Sequence, residues 1–308
     1  MRILFAGNGD RGIECLKAVN SIYNVVGVLC NKTQNNSFMN YANSLKLNII
    51  ISENPNNASF LKTIKNLNVD LGILAGYGKI VKKEFISTPK FGCINLHAGK
   101  LPNFRGSSPM NWSLINGEKN FSISIIKVDE GIDTGPVLHE KKFKINNDDT
   151  IKNLHEIANL YFPKLLLKVL KNFEQKKIII RNQKNNNAAY YPLRFPDDGI
   201  IFFDQLTSEE IHNRIRALTT PYPGVFTFYK NKKIKITESQ TTKIPFYGEP
   251  GRIYRISKKG ILVCAKDKCL WLTNVVSIEN EENIVSKFKR YDKLDTVKEI
   301  AISFYENR

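Results

Sequence analysis

Short apolar runs alternate with stretches of helical periodicity along the first 190 residues of the chain. The runs predict buried strands at 2–6, 25–29, 47–51, 69–74, 92–96 and 122–128. Apolar positions at helical spacing predict helices at 13–19, 40–45, 61–67 and 150–173. Pro163 predicts a kink or a break in the last of these. Strands that alternate with helices indicate βαβ units, so we expect an α/β fold with a Rossmann-like, doubly wound, mainly parallel sheet.

The pattern changes after the polar run Asn185–Asn187, which predicts a linker. A helix is predicted at 208–217, and short strands with Gly and Pro between them are predicted at 225–229, 233–237, 251–255, 260–264 and 269–275. Such strands are typical of a small β-barrel-like domain, here of OB-like type. We therefore expect a catalytic domain at 1–190 and a C-terminal β-rich domain at 200–308, which suits a chain of 308 residues.

Composition narrows the class of protein. The five cysteines are odd in number and lack the spacing of a zinc site, and there are only four histidines, so we expect free thiols and no metal. No apolar run approaches the roughly 20 residues that a membrane span needs. Met1 to Ala6 is too short for a signal peptide and leads directly into a glycine-rich turn, so we expect a cytoplasmic protein without a membrane partner.

The formal net charge of +17 raises the question of a nucleic-acid partner. However, the basic residues are spread along the chain, and no basic stripe interleaved with aromatic residues is evident. Residues 187–308 carry 20 basic and 15 acidic residues, a net charge of only +5. A diffusely basic surface favours phosphorylated small molecules over a polynucleotide.

A glycine-rich turn follows the first predicted strand. Gly9, Asp10, Arg11 and Gly12 complete the spacing G-x-G-x-x-G that begins at Gly7. Three interpretations remain open: a dinucleotide site, a plain tight turn, and a phosphate contact between substrate and the free amides of a helix start, assisted by Arg11. The dinucleotide site is disfavoured, because Cys-Asn-Lys at 30–32 stands where an acidic residue is expected after the second strand.

Asn95 and His97 lie two residues apart at the end of a predicted strand, which places them on one face. An imidazole that accepts a proton, beside an amide that stabilises an oxyanion, suits attack on a carbonyl group. The candidates for the carboxylate that orients the imidazole are Asp129, Glu130 and Asp133, and the two glycines around Asp133 suit a loop folded closely around a ligand. Taken singly, His97 fits a structural histidine better than a catalytic one, and Asp133 fits an ordinary turn.

Together these segments resemble the formyltransferase family that uses 10-formyltetrahydrofolate. The family pattern is found in order at Asn95-Leu96-His97, at Leu101-Pro102-Asn103-Phe104-Arg105-Gly106, and at Gly131-Ile132-Asp133-Thr134-Gly135. The resemblance implies that His97 is the general base, that Asn95 stabilises the oxyanion and that Asp133 holds His97. It also implies transfer of a formyl group to a primary amine without a metal.

The resemblance further implies where the folate binds. The stretch with Tyr77, Lys79, Ile80 and Val81, together with the backbone from Glu130 through Gly131 and Ile132 to Asp133, is similar to the family's pterin-binding segments. From the residues alone, Gly76-Tyr77-Gly78 is also compatible with an ordinary loop at a strand end.

The family's acceptors include methionyl-tRNA and nucleotide-linked amino sugars. The tRNA enzymes carry a basic insertion after the second strand, whereas the corresponding segment here, at 30–40, is short and nearly uncharged. Residues 97–118 and 194–226 are more similar to the sugar N-formyltransferases, including the domain that acts on UDP-4-amino-4-deoxy-L-arabinose.

We therefore expect a nucleotide-linked amino sugar in its UDP, dTDP or GDP form as acceptor, with methionyl-tRNA as the alternative. The expected acceptor residues are Gly9, Asp10, Arg11 and Gly12 at the diphosphate, and Lys100, Arg105 and Met110 on the sugar side. Arg105 is also compatible with a structural bracket of its loop. The resemblance is compatible with a homodimer through the C-terminal domain.

Overall fold

The computed structural model of the protein describes residues 1–31 and 37–306. The chain separates into two compact units. The first comprises Met1–Pro109, Asn120–Lys144 and His155–Pro192, and the second comprises Met110–Lys119, Ile145–Leu154 and Leu193–Arg308. Each unit contains its own principal sheet.

The first unit is built on a seven-stranded sheet of order β3-β2-β1-β4-β5-β7-β8. Its strands are β1 (Arg2–Gly7), β2 (Asn24–Cys30), β3 (Ile49–Ile51), β4 (Leu71–Ala75), β5 (Cys93–His97), β7 (Asn120–Lys127) and β8 (Val137–Lys144). Neighbouring strands from β3 to β5 in this order pair in parallel. β7 pairs antiparallel with both β5 and β8. β1 and β4 are almost wholly apolar and buried, as expected for strands covered on both faces. Two short strands, β6 (Arg105–Gly106) and β9 (Tyr190–Tyr191), form a separate parallel pair.

Helices connect these strands. They are α1 (Gly9–Asn20), α2 (Ser37–Ser44), α3 (Ala58–Asn66), α4 (Lys83–Ile86), α5 (Pro109–Ile115) and α6 (Ile151–Glu174). α1 begins four residues before its predicted start, because the Asn8 side chain accepts a hydrogen bond from the Gly9 N–H and caps the helix. α6 is continuous across Pro163, so the break predicted there is wrong. Buried Phe162 and Leu166 anchor the helix on both sides of the proline.

The second unit carries an antiparallel five-stranded sheet of order β10-β11-β14-β13-β12. Its strands and helices are α7 (Ser208–Leu218), β10 (Val225–Tyr229), β11 (Lys232–Thr241), β12 (Ile253–Ser257), β13 (Gly260–Cys264), β14 (Cys269–Ser277) and α8 (Val297–Glu306). Thr207 and Glu210 form a capping box that fixes the start of α7. The predicted fold class, a mainly parallel α/β sheet followed by a β-rich domain, is confirmed.

Among the described residues, no helix combines the length and the apolar character needed to cross a membrane. The polar run Asn185–Asn187 forms a short 3₁₀ helix. It is more than a spacer, because the Asn185 side chain contacts the buried Arg105.

Candidate active site

β5 presents Asn95 and His97 on one face of the first sheet. β7 runs antiparallel to β5, with Ile126 opposite Asn95 and Ser124 opposite His97. His97 is 5% exposed, whereas Asn95 is half-buried. The i, i+2 spacing therefore places both side chains on the same face of the strand, as the sequence predicts.

The loop between β7 and β8 brings Asp133 to both side chains. Asp133 Oδ2 lies 3.3 Å from His97 Nδ1, and Asp133 Oδ1 accepts a hydrogen bond from Asn95 Nδ2 at 3.3 Å. Oδ2 also accepts the backbone N–H of Gly106 at 2.9 Å. The three residues predicted to act together therefore form one cluster, and Gly106 anchors its carboxylate.

The second ring nitrogen of His97 also has an acceptor. His97 Nε2 lies 2.6 Å from the carbonyl oxygen of Phe104. A neutral imidazole carries one proton and can donate to only one of the two acceptors, whereas the doubly protonated ring can donate to both. The two acceptors therefore fix the orientation of the imidazole ring.

Gly99 leaves room for this arrangement. A Cβ atom at position 99 would collide with His97 Nε2 and with the Phe104 carbonyl oxygen. Both atoms belong to the contact that orients the imidazole, and neither is the end of a flexible chain.

We expect Gly99→Ala to lower kcat by about 10²-fold, because a displacement of roughly 1 Å at a reacting group has that cost. Steady-state kinetics of formyl-donor consumption measure the effect. Wild-type kcat in Gly99→Ala would show that the contact does not orient the ring.

The backbone of Asp133 is in the left-handed region, with φ of +53°. Gln183 Nε2 donates to the carbonyl oxygens of Asp133 at 2.8 Å and of Gly135 at 2.7 Å. Gln183 Oε1 in turn accepts from Arg105 Nε at 3.1 Å and from Arg105 Nη2 at 2.9 Å. Arg105 also donates to Asn185 and Tyr190.

Arg105 is 2% exposed, and its guanidinium is bonded to side chains of this chain. Of the two interpretations of Arg105 from sequence, these contacts support the structural bracket. Gln183 was not identified from the sequence. Its signal is indirect: an arginine in an apolar segment needs buried acceptors, but the sequence does not say which residues supply them.

The two segments expected to bind folate lie next to each other. Tyr77, Val81 and Val128 pack in one apolar cluster, and Lys83 Nζ lies 3.4 Å from Glu130 Oε1. Burial raises the pKa of Tyr77 to about 12, and its hydroxyl has no hydrogen-bond partner among the described residues. This phenol is therefore neutral at physiological pH, and its hydroxyl is enclosed by the protein.

Two isoleucines of these segments remain in solvent, Ile80 at 73% and Ile132 at 53% exposure. Lys79 and Gly131 are exposed beside them. Asn56, which the sequence did not reveal, fixes the first segment, since its side chain donates to the Ile80 carbonyl at 2.9 Å and accepts from the Lys82 N–H at 2.7 Å. The two exposed isoleucines therefore provide apolar surface, and Asn56 holds the backbone at Ile80 in place.

The glycine-rich turn lies beside the end of β4, where the Asn8 N–H donates to the Ala75 carbonyl at 3.2 Å. Gly9 has a positive φ of +59°, and a Cβ at Gly12 would collide with the Phe38 ring. Asp10 is exposed in the first turn of α1. The guanidinium carbon of Arg11 lies 5.0 Å from the Phe162 ring centre. Tight packing thus accounts for part of this motif.

The remaining expected acceptor residues lie in different units. Lys100 is half-buried in the first unit, and its carbonyl oxygen accepts the Phe104 N–H. Met110 belongs to the second unit and is 4% exposed.

Cys93 begins the strand that carries the cluster. Burial raises the pKa of its thiol to about 12, so the reactive thiolate is scarce at neutral pH and Cys93 is a poor nucleophile. Within residues 1–31 and 37–306, no group of three or more His, Cys, Asp or Glu side chains has the arrangement of a metal site.

Comparisons with known proteins identify one family. The family described as formyl transferase matches residues 1–170, and the formyl transferase C-terminal domain matches residues 195–289. Methionyl-tRNA formyltransferase of Clostridium beijerinckii is 32% identical over 286 residues, covering 89% of this chain and 92% of that protein.

Two solved structures share the fold. The N-formyltransferase of Helicobacter canadensis, in complex with folinic acid and dTDP-3-aminofucose, has a TM-score of 0.69 at 20% identity, covering 88% of this chain and 98% of that one. Methionyl-tRNA formyltransferase of Clostridium thermocellum has a TM-score of 0.56 at 21% identity, covering 79% and 94%.

Proposed function

This chain belongs to the formyltransferase family, and we propose that it transfers a formyl group from 10-formyltetrahydrofolate to the primary amine of a nucleotide-linked amino sugar. The observation that carries the proposed chemistry is the cluster of Asn95, His97 and Asp133, joined by contacts of 3.3 Å. Its parts are a proton acceptor, an amide donor and an orienting carboxylate, which are the groups that acyl transfer to an amine requires.

In this proposal His97 removes the proton from the attacking amine. Nδ1 faces the Asp133 carboxylate and donates to it, so Nε2 is the nitrogen that takes the proton, and the amine has to displace the Phe104 carbonyl oxygen from it. Asn95 Nδ2 uses one hydrogen toward Asp133 and has a second for the oxygen of the tetrahedral intermediate. The proton held by His97 then goes to the leaving nitrogen.

The residues present fit the proposed formyl donor. Bound 10-formyltetrahydrofolate supplies an activated formyl group on nitrogen. Exposed Ile80 and Ile132 offer apolar contact to a flat ring. The Asn56 side chain holds the backbone of the first segment in place at Ile80 and Lys82. A largely preformed apolar surface with few polar groups is usual for cofactor sites.

One feature supports a nucleotide sugar as the acceptor. The connection between β2 and α2 is six residues long with one charged residue, which is short of the basic insertion that the tRNA enzymes carry.

Methionyl-tRNA is the second candidate acceptor. It is favoured by the 32% identity to the methionyl-tRNA formyltransferase of Clostridium beijerinckii, which extends over 92% of that protein. The net charge of +17 is compatible with it. The same cluster would serve, since the attacking group is again a primary amine.

A panel of acceptors tests the proposal. We expect donor consumption by the purified chain with UDP-, dTDP- or GDP-linked amino sugars, and none with the corresponding sugars whose amine is acetylated. Turnover only with charged methionyl-tRNA, weakened steeply by salt, would replace the sugar with tRNA as acceptor. Absence of turnover with every amine would contradict the proposal.

A further inference from the structure

We propose that Gln183 is a positioning residue that fixes the Asp133 carboxylate against His97. This inference rests on the proposed function, because it assigns a role within the same cluster. Gln183 contacts none of the atoms expected to react, and it would act only through the backbone of the loop between β7 and β8.

The amide of Gln183 uses its full hydrogen-bonding capacity. Its two N–H groups go to the carbonyl oxygens of Asp133 and Gly135, at 2.8 and 2.7 Å. Its oxygen takes two N–H groups of Arg105, at 3.1 and 2.9 Å. An amide has two donors and two lone pairs, so none is left over. A side chain satisfied in this way has one orientation.

Asp133 needs such support. Its φ of +53° lies in the left-handed region, which costs a residue other than glycine of the order of 1 kcal/mol or more. The residues before it, Gly131 and Ile132, are exposed and offer little packing. The two bonds from Gln183 hold the carbonyl groups on either side of Thr134, and they thereby fix the backbone from which the carboxylate extends.

Arg105 extends the same support to the other side of His97. It stands between Phe104, whose carbonyl meets His97 Nε2, and Gly106, whose N–H binds Asp133 Oδ2. One glutamine side chain therefore ties together the segments that contact the two ring nitrogens of His97. A displacement at Gln183 would change both distances at once.

A merely structural role is the competing explanation, in which Gln183 serves only to satisfy the buried Arg105. Gln183→Glu separates the two roles. A carboxylate still accepts from Arg105, now with a charge-assisted bond, but it has no N–H for the Asp133 and Gly135 carbonyls. Gln183→Leu removes both sets of bonds. Gln175→Leu, at an exposed position of the first unit, is the matched control.

The experiment measures kcat, KM for donor and acceptor, and Tm, at a pH near 8 with the acceptor that the wild-type chain uses. We expect kcat to fall about 10²-fold in both Gln183→Glu and Gln183→Leu, with each KM within about twofold of wild type. Gln183→Glu should keep its Tm within a few degrees, and Gln175→Leu should be unchanged in all respects.

Near-wild-type kcat in Gln183→Glu would overturn the inference, and so would a loss confined to KM. If Gln183→Leu does not fold, the glutamate variant decides alone. Failure of the proposed function is distinguishable, because it would appear as inactivity of the wild-type chain with every amine.

Discussion

Replacing His97 with alanine is expected to reduce kcat by about 10² to 10⁴-fold, the range that a positioned general base contributes. Of its two partners in the cluster, Asn95 cannot accept a proton from an amine, and Asp133 already accepts from the Gly106 N–H and from Asn95. Donor consumption under saturating donor and acceptor measures the loss.

Stability and a second histidine provide the controls. His97→Ala should fold, since the ring is bonded to a carboxylate and a carbonyl at the sheet end and does not form the apolar core. His139→Ala should keep kcat within about twofold, because His139 lies on β8 opposite Ile125 of β7, and β7 separates it from the strand that carries His97. More than a tenth of wild-type activity in a folded His97→Ala would refute the general-base role.

Asp133→Asn is expected to reduce kcat by about 10² to 10³-fold while KM for donor and acceptor changes little. Asparagine tolerates a positive φ, so the loop conformation survives. Its amide oxygen can still accept the Gly106 N–H, but the negative charge that stabilises the His97 imidazolium is gone. The loss should therefore lie in the chemical step, which single-turnover measurements of formyl transfer isolate.

Asp129→Asn is the matched control in the same loop. Asp129 is exposed and accepts from the Thr134 hydroxyl at 2.6 Å and from the Gly131 N–H at 3.2 Å, which an amide oxygen can also do. We expect a decrease of less than about tenfold. Equal losses in the two variants would mean that loop structure, and not the charge on Asp133, is what the reaction needs.

The sequence predicted the strands of both sheets well because their signals are local. Runs such as Val25 to Leu29 are apolar throughout, and a buried parallel strand requires nothing else. β8 was missed because its second half is exposed and rich in lysine, so the run lacks apolar character. The short pair of β6 and β9 was missed because it joins residues about 85 positions apart.

The candidate site shows the same division. Asn95 and His97 follow from the period of one strand, Asp133 was one of the carboxylates considered from the residues, and the resemblance selected it and assigned the roles. Gln183 and Asn56 carry no local signal, because each acts on a segment 24 to 50 residues away. Arg105 shows most clearly what the sequence could not decide. It was compatible both with a substrate contact and with a structural bracket, and its burial could be recognised only once its acceptors were located.

The turn between β7 and β8 has a consequence for which kinds of change the chain tolerates. The turn begins after Lys127, the last residue of β7, and ends before Val137, the first residue of β8. A Cβ at Gly135 would collide with the Lys127 carbonyl, so the backbone of the turn is closely packed against the end of β7. Exchanging the exposed side chain of Glu130 leaves the path unchanged. Inserting or deleting one residue there shifts Asp133 by up to about 3.5 Å, which exceeds the margin of any hydrogen bond. In this turn, length is constrained more strictly than composition.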